Sequence, residues 1–320
     1  MNTVLVIGAG VWGQALAVVF SKCVDVHLLI RTPAKLTSVE NKLSNLNYNT
    51  ITCITEIKDL KQYSLVVVAT PVHALRSVLS NIKSLSCKKW PDLIITSKGI
   101  EQDTGKLVYQ IVEDISPCKN YGVLLGPSFA QELINDTPTF IALSSFDSNF
   151  TIKWINNLQI KNFKIYGHSD VIGACVASAL KNIIALAVGI CCGLSLGQNT
   201  ISAVITQGLA EMKRFILAMG GDINTVYGLN GLGDLILTCN PLSRNYQVGL
   251  KLAQNLAIAD IINDLQQTAE GVATSKVVYI KSQELNINMP VCSTVYQIIY
   301  QGLSAQSAIK QLMGLLFCQK

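Results

Sequence analysis

Thr3-Val-Leu-Val-Ile-Gly8-Ala-Gly10-Val-Trp-Gly13 begins as a β-branched apolar run and then breaks into three spaced glycines. The run 3–8 reads as a short buried strand, and 12–22 as a helix, with a second strand at 24–30. Glycines between a strand and a helix permit a tight turn and let the backbone approach a pyrophosphate, which rests on the free N–H groups at the helix N-terminus. Gly8, Gly10 and Gly13 are therefore candidate cofactor-binding residues, and the chain is expected to bind a dinucleotide.

Working outward, the alternation continues with a helix near 33–46 and strands near 64–69 and 92–96, each followed by a helical stretch. Further strands read at 121–125, 138–143 and 162–166. Repeated strand-then-helix units predict an α/β fold whose N-terminal part is a Rossmann-type, doubly wound, mostly parallel sheet. After Gly167 the strand signals stop, and the chain reads as helix after helix punctuated by glycine and proline. At 320 residues two cores are expected: a dinucleotide-binding domain over 1–168 and an all-helical substrate and catalytic domain over 169–320. The boundary is placed near Gly167–Asp170.

Composition narrows the function. Hydrophobic residues make up 50% of the chain and charged residues 14%, which excludes a disordered class. The 25 Lys and Arg are scattered, so nucleic acid is not an expected partner, while the net charge of +5 suits an anionic, phosphate-bearing small molecule. Ten cysteines without a Cys-x-x-Cys pair, beside only three histidines, argue against a metal site and for a reducing cytoplasm. The first residues lack a basic region and break at glycines, so they read as part of the fold rather than a signal peptide.

The apolar stretch 171–196 is long enough to span a bilayer, yet Lys181 lies near its middle. A central lysine opposes insertion by about 2.5–3.5 kcal/mol, so a buried central helix is expected instead of an integral membrane segment. Lys181 is the only charged side chain between Asp170 and Glu211. A desolvated ammonium needs a partner or a use, which makes Lys181 a candidate catalytic group. Helical spacing sets Ala174, Ala177, Ser178 and Ala185 beside it, leaving a low wall that a small substrate can approach.

Other candidates cluster after strands or in the second half. Arg31 stands where an acidic residue would hold the ribose 2′-hydroxyl of NAD; an arginine favours a 2′-phosphate, so NADP is expected to be accepted. Lys98, in Ser97-Lys-Gly-Ile-Glu101, and the segment Gly126-Pro-Ser128-Phe-Ala130 follow strands at the carboxyl edge, where open sheets gather ligands. Asp234 lies among apolar residues and needs a partner, while Arg244-Asn245 offers donors suited to phosphate.

These motifs in this order, together with Ala179-Leu-Lys-Asn182, Gly233-Asp-Leu and Ser243-Arg-Asn245, resemble the bacterial NAD(P)-dependent sn-glycerol-3-phosphate dehydrogenase family from residue 3 to about 315. The resemblance implies reduction of dihydroxyacetone phosphate by NAD(P)H in the cytoplasm, feeding glycerophospholipid synthesis, with Lys181 as general acid/base. It implies substrate contacts from Lys98, Gly126, Ser128, Lys181, Asp234, Ser243, Arg244 and Asn245. It implies cofactor contacts from Val11, Trp12, Arg31, Lys98, Ala130, Arg244 and Glu270. Val11 stands where a serine is common, Asn240-Pro241-Leu242 replaces a serine- or glycine-rich loop, and Thr268 takes a usually aliphatic place. Glycine- and alanine-rich helices in the second half make a homodimer the expected assembly. The competing readings are another hydroxyacid dehydrogenase or ketopantoate-type reductase of the same architecture, a non-catalytic NAD(P)-binding sensor, and a membrane protein.

Overall fold

The strand read at the N-terminus forms as β1 (Thr3–Ile7), buried from Val4 onward, in a computed structural model that describes residues 3–45, 48, 50–85, 90–118, 120–265 and 269–317. It is followed by α1 (Val11–Phe20), β2 (Asp25–Leu29), α2 (Leu36–Asn45), β3 (Ile51–Ile54), β4 (Leu65–Val68) and α3 (Val72–Ser84). Then come β5 (Asp92–Ile95), α4 (Val108–Ile115), β6 (Tyr121–Leu125), α5 (Ala130–Ile134), β7 (Thr139–Ser144), α6 (Ser148–Asn157) and β8 (Phe163–His168). The sheet order is β3-β2-β1-β4-β5-β6-β7-β8. Every neighbouring pair is parallel except β6 with β7. Helices cover the central strands, which explains why Leu65-Val-Val-Val68 is buried at every position instead of alternating.

From β1 the chain moves outward to β2 and β3, then returns to the other side of β1 at β4. That reversal opens a crevice beyond the carboxyl ends of β1 and β4, the place where open α/β sheets bind ligands.

The remaining elements are helices: α7 (Val171–Gly193), α8 (Gly197–Ala218), α9 (Asp234–Thr238), α10 (Arg244–Leu252), α11 (Ile258–Leu265), α12 (Glu270–Glu284), α13 (Pro290–Tyr300) and α14 (Ala305–Phe317). Among the described residues α7 alone is long and apolar enough to cross a membrane, but 94% of its most apolar window is buried inside the protein. It is a buried core helix.

The chain divides into two compact units, Met1–Lys98 with Val108–Val171, and Gly99–Leu107 with Ile172–Lys320. The short excursion 99–107 differs from a single boundary near 168. It is closed by a bridge between Ile100 and Leu107, and it packs on α12, since a Cβ on Gly105 would lie 2.9 Å from Lys281 Cε.

Candidate active site

In the first unit the glycine turn has the backbone its sequence requires. Gly8 has φ +115°, and a Cβ there would lie 2.5 Å from the Ala69 carbonyl oxygen. A Cβ on Gly13 would fall 1.7 Å from the Gly8 carbonyl oxygen, so α1 can sit this close to β1 only with glycine. Gly10 is the N-cap of α1, and a Cβ there would meet nothing within 4 Å, which leaves room before the helix N-terminus. Gln14 donates to the Ala9 carbonyl at 2.8 Å and steadies the turn. Val11, 51% exposed, contributes its place at the head of α1, where only its backbone N–H is polar.

Trp12, like Ala9, Ala69 and Ala130, is partly buried against the unit's core, while its buried indole Nε1 has no hydrogen-bond partner among the described residues. A buried donor left over beside the glycine turn fits a dinucleotide, which carries acceptors in abundance. Arg31 is exposed just beyond β2. Lys98 is half-buried after β5, and Gly126 and Ser128 follow β6, with the Ser128 hydroxyl donating to the Gly126 carbonyl at 3.2 Å. Arg31, Lys98, Gly126 and Ser128 all follow the carboxyl ends of strands.

In the second unit the structure brings Lys181 and Asp234 together. Lys181 Nζ lies 2.5 Å from Asp234 Oδ1, with side-chain exposures of 5% and 1%. Asp234 begins α9 directly after a π-turn over Leu229–Gly233, and the Thr238 hydroxyl donates back to the Asp234 carbonyl at 2.5 Å. Ala174, Ala177, Ser178 and Ala185 are fully buried along α7, as their spacing predicts. The Cys239 thiol, one residue past α9, is pushed up to about 12 by burial, with the Lys181 charge pulling the other way.

Ser243 is the buried N-cap of α10, and Asn240-Pro241-Leu242 before it is a turn in which Leu242 N–H donates to the Asn240 side chain at 3.0 Å. Arg244 is exposed at the first position of α10, whereas Asn245 is buried. The Asn245 amide is partly engaged: Nδ2 donates to Asn182 Oδ1 at 3.0 Å, and Oδ1 accepts from the Gly271 N–H at 3.1 Å. One Nδ2 hydrogen is left for a ligand. The Asn182 side chain thus joins α7 to α10, and no local signal in sequence announces a contact over 63 positions. Glu270 is half-buried at the first position of α12. Thr268 lies outside the described residues.

Among the described residues no group of three or more His, Cys, Asp or Glu is arranged to hold a metal ion.

Comparison with known proteins places the whole chain in a family. The family described as NAD-dependent glycerol-3-phosphate dehydrogenase matches by its N-terminal part over residues 3–151 and by its C-terminal part over residues 170–310. A protein of Nitrosomonas eutropha named glycerol-3-phosphate dehydrogenase (NAD(P)+) is 39% identical over 320 residues, covering 97% of each chain. One of the same name from Methylobacillus flagellatus is 37% identical over 319 residues, covering 97% of this chain and 96% of that one. The crystal structure of glycerol-3-phosphate dehydrogenase from Coxiella burnetii superposes with a TM-score of 0.91 at 30% identity, covering 98% of both chains. With both parts of the family matched in order and relatives at this identity over nearly the full length, the chain belongs to the NAD-dependent glycerol-3-phosphate dehydrogenase family.

Proposed function

We propose that this chain reduces dihydroxyacetone phosphate to sn-glycerol 3-phosphate in the cytoplasm, with NAD(P)H, as a homodimer whose product feeds glycerophospholipid synthesis. The observation that carries the catalytic part is the buried Lys181–Asp234 pair. A charged pair withdrawn from water contributes little to stability on its own, so its presence inside an otherwise apolar helix points to chemistry.

The bound cofactor supplies a hydride to C2 of the substrate. Lys181 stabilises the alkoxide that develops on the C2 oxygen and donates the proton that completes the alcohol. Asp234 pairs with the ammonium and fixes the direction of Nζ, and small side chains lie beside Lys181 along α7. Arg244 and the remaining Asn245 N–H hold the phosphate, with Ser243 at the same helix N-terminus. Lys98, Gly126 and Ser128 are assigned to substrate by resemblance. Val11, Trp12, Arg31, Lys98, Ala130, Arg244 and Glu270 are assigned to the cofactor in the same way, and Gly8, Gly10 and Gly13 by the turn they form between β1 and α1.

The test is a steady-state assay with dihydroxyacetone phosphate against NADPH and NADH, with Lys181→Ala beside the parent. Turnover should be lost while NADPH affinity stays within about threefold. Activity of Lys181→Ala within tenfold of the parent would remove Lys181 from the mechanism.

A further inference from the structure

Thr70 Oγ1 is buried and has no hydrogen-bond partner among the described residues. Such a group calls for a partner, because burying a hydroxyl that bonds to nothing opposes folding. Its position supplies the explanation. β4 runs parallel to β1 with Val68 opposite Ile7, and the Ala69 N–H donates to the Ile7 carbonyl at 2.8 Å. Thr70 therefore leaves β4 beside the glycine turn: a Cβ on Gly8 would lie 3.1 Å from Thr70 Cγ2. This is the point where the sheet order reverses between β1 and β4, the crevice that a dinucleotide crosses.

The neighbouring backbone is held in place from the next strand. The Ser97 hydroxyl donates to the Thr70 carbonyl at 2.5 Å, and the Thr96 N–H donates to the Val68 carbonyl at 3.0 Å. Pro71 follows and carries no N–H, and as N-cap of α3 it makes no side-chain hydrogen bond. The hydroxyl thus stands on a fixed backbone, next to the turn and in the same unit as the unpartnered Trp12 Nε1.

We propose that Thr70 is a cofactor-binding residue whose hydroxyl donates to an oxygen of the pyrophosphate–ribose section of NAD(P)H. This rests on the dinucleotide assignment of the glycine turn. Because that section is common to NADH and NADPH, Thr70 contributes equally to both, unlike Arg31, which is expected to favour the 2′-phosphate of NADPH.

The experiment is direct binding of NADPH and of NADH, followed by calorimetry without substrate, to the parent, Thr70→Val, Thr70→Ser and Arg31→Ala. Thr70→Val should weaken both cofactors about tenfold, equivalent to ~1.4 kcal/mol. Thr70→Ser should stay within about twofold, and Arg31→Ala should weaken NADPH only. In thermal melts, unliganded Thr70→Val should be at least as stable as the parent, since an unsatisfied group is gone, while its gain in Tm on adding NADPH should shrink. Both cofactors binding Thr70→Val within twofold of the parent overturns the proposal and leaves the dinucleotide assignment standing. A parent that binds neither cofactor overturns both. Should Thr70→Val fail to fold, Thr70→Ala takes its place under the same criteria.

Discussion

At Lys181 two demands meet that a structural residue would not have to satisfy. The ammonium is withdrawn from water, and its counter-charge comes from Asp234, 53 positions later and equally withdrawn. Desolvating both ions offsets most of their attraction, so replacing the two with apolar groups of similar volume is expected to be neutral or stabilising, whereas removing one partner strands a buried charge. Asp234→Asn should therefore lose roughly 3–5 kcal/mol of unfolding free energy in urea titrations. The double variant Lys181→Met, Asp234→Leu should recover most of that loss and have no turnover. A double variant less stable than Asp234→Asn would mean that the pair is there to hold the fold.

At the scale of elements, the catalytic lysine is positioned by a close helix crossing. A Cβ on Gly249 in α10 would lie 2.2 Å from the Leu186 carbonyl oxygen in α7, and one on Gly189 would lie 2.1 Å from the Tyr246 carbonyl oxygen. The two backbones touch, and this contact sets Arg244 and Asn245, on the first turn of α10, against the helix that carries Lys181 and Asn182. Gly249→Ala should separate the helices, lowering stability by roughly 1–3 kcal/mol and raising KM for dihydroxyacetone phosphate more than KM for NADPH. Equal KM values for parent and variant would disconnect the crossing from the substrate site. Elements of this kind show the limit of what sequence discloses. The β1–turn–α1 unit is local, so eleven consecutive residues reveal it. Buried strands stand out as apolar runs, continuous in β4 and broken in β5 only by its first residue, Asp92. β3 leaves no such run: Ile-Thr-Cys-Ile lies at the sheet edge, where a polar residue is tolerated and only Ile51 is buried. The Gly189–Gly249 approach and the Asn182–Asn245 bond join positions about sixty apart, so neither leaves a local pattern.

For the molecule as a whole, the buried titratable groups bias stability towards acid. Glu211 on α8 is fully buried and accepts the N–H groups of Val291 at 2.6 Å and Cys292 at 3.0 Å, tying α8 to the first turn of α13. Burial pushes its carboxyl up to about 7, against those hydrogen bonds and the Arg214 charge. Burial likewise raises the thiols of Cys191 and Cys239 to about 12 and that of Cys292 well above its usual value. A group whose folded pKa is raised binds its proton more tightly in the folded state, so the stability it contributes is complete below the unfolded pKa and is lost as pH rises. For Glu211 the window runs from 4.5 to about 7, and the loss amounts to about 3 kcal/mol; the thiols act in the same direction only above 9.0. Melting the parent between pH 5 and 8 should show Tm falling up to pH 7 and then levelling. Glu211→Gln keeps a carbonyl acceptor for α13 without a titrating proton, so its Tm should be nearly flat over the same range. Parallel Tm–pH curves for the two proteins would show that Glu211 is ionised in the folded state throughout, and that the helix N-terminus and Arg214 outweigh burial.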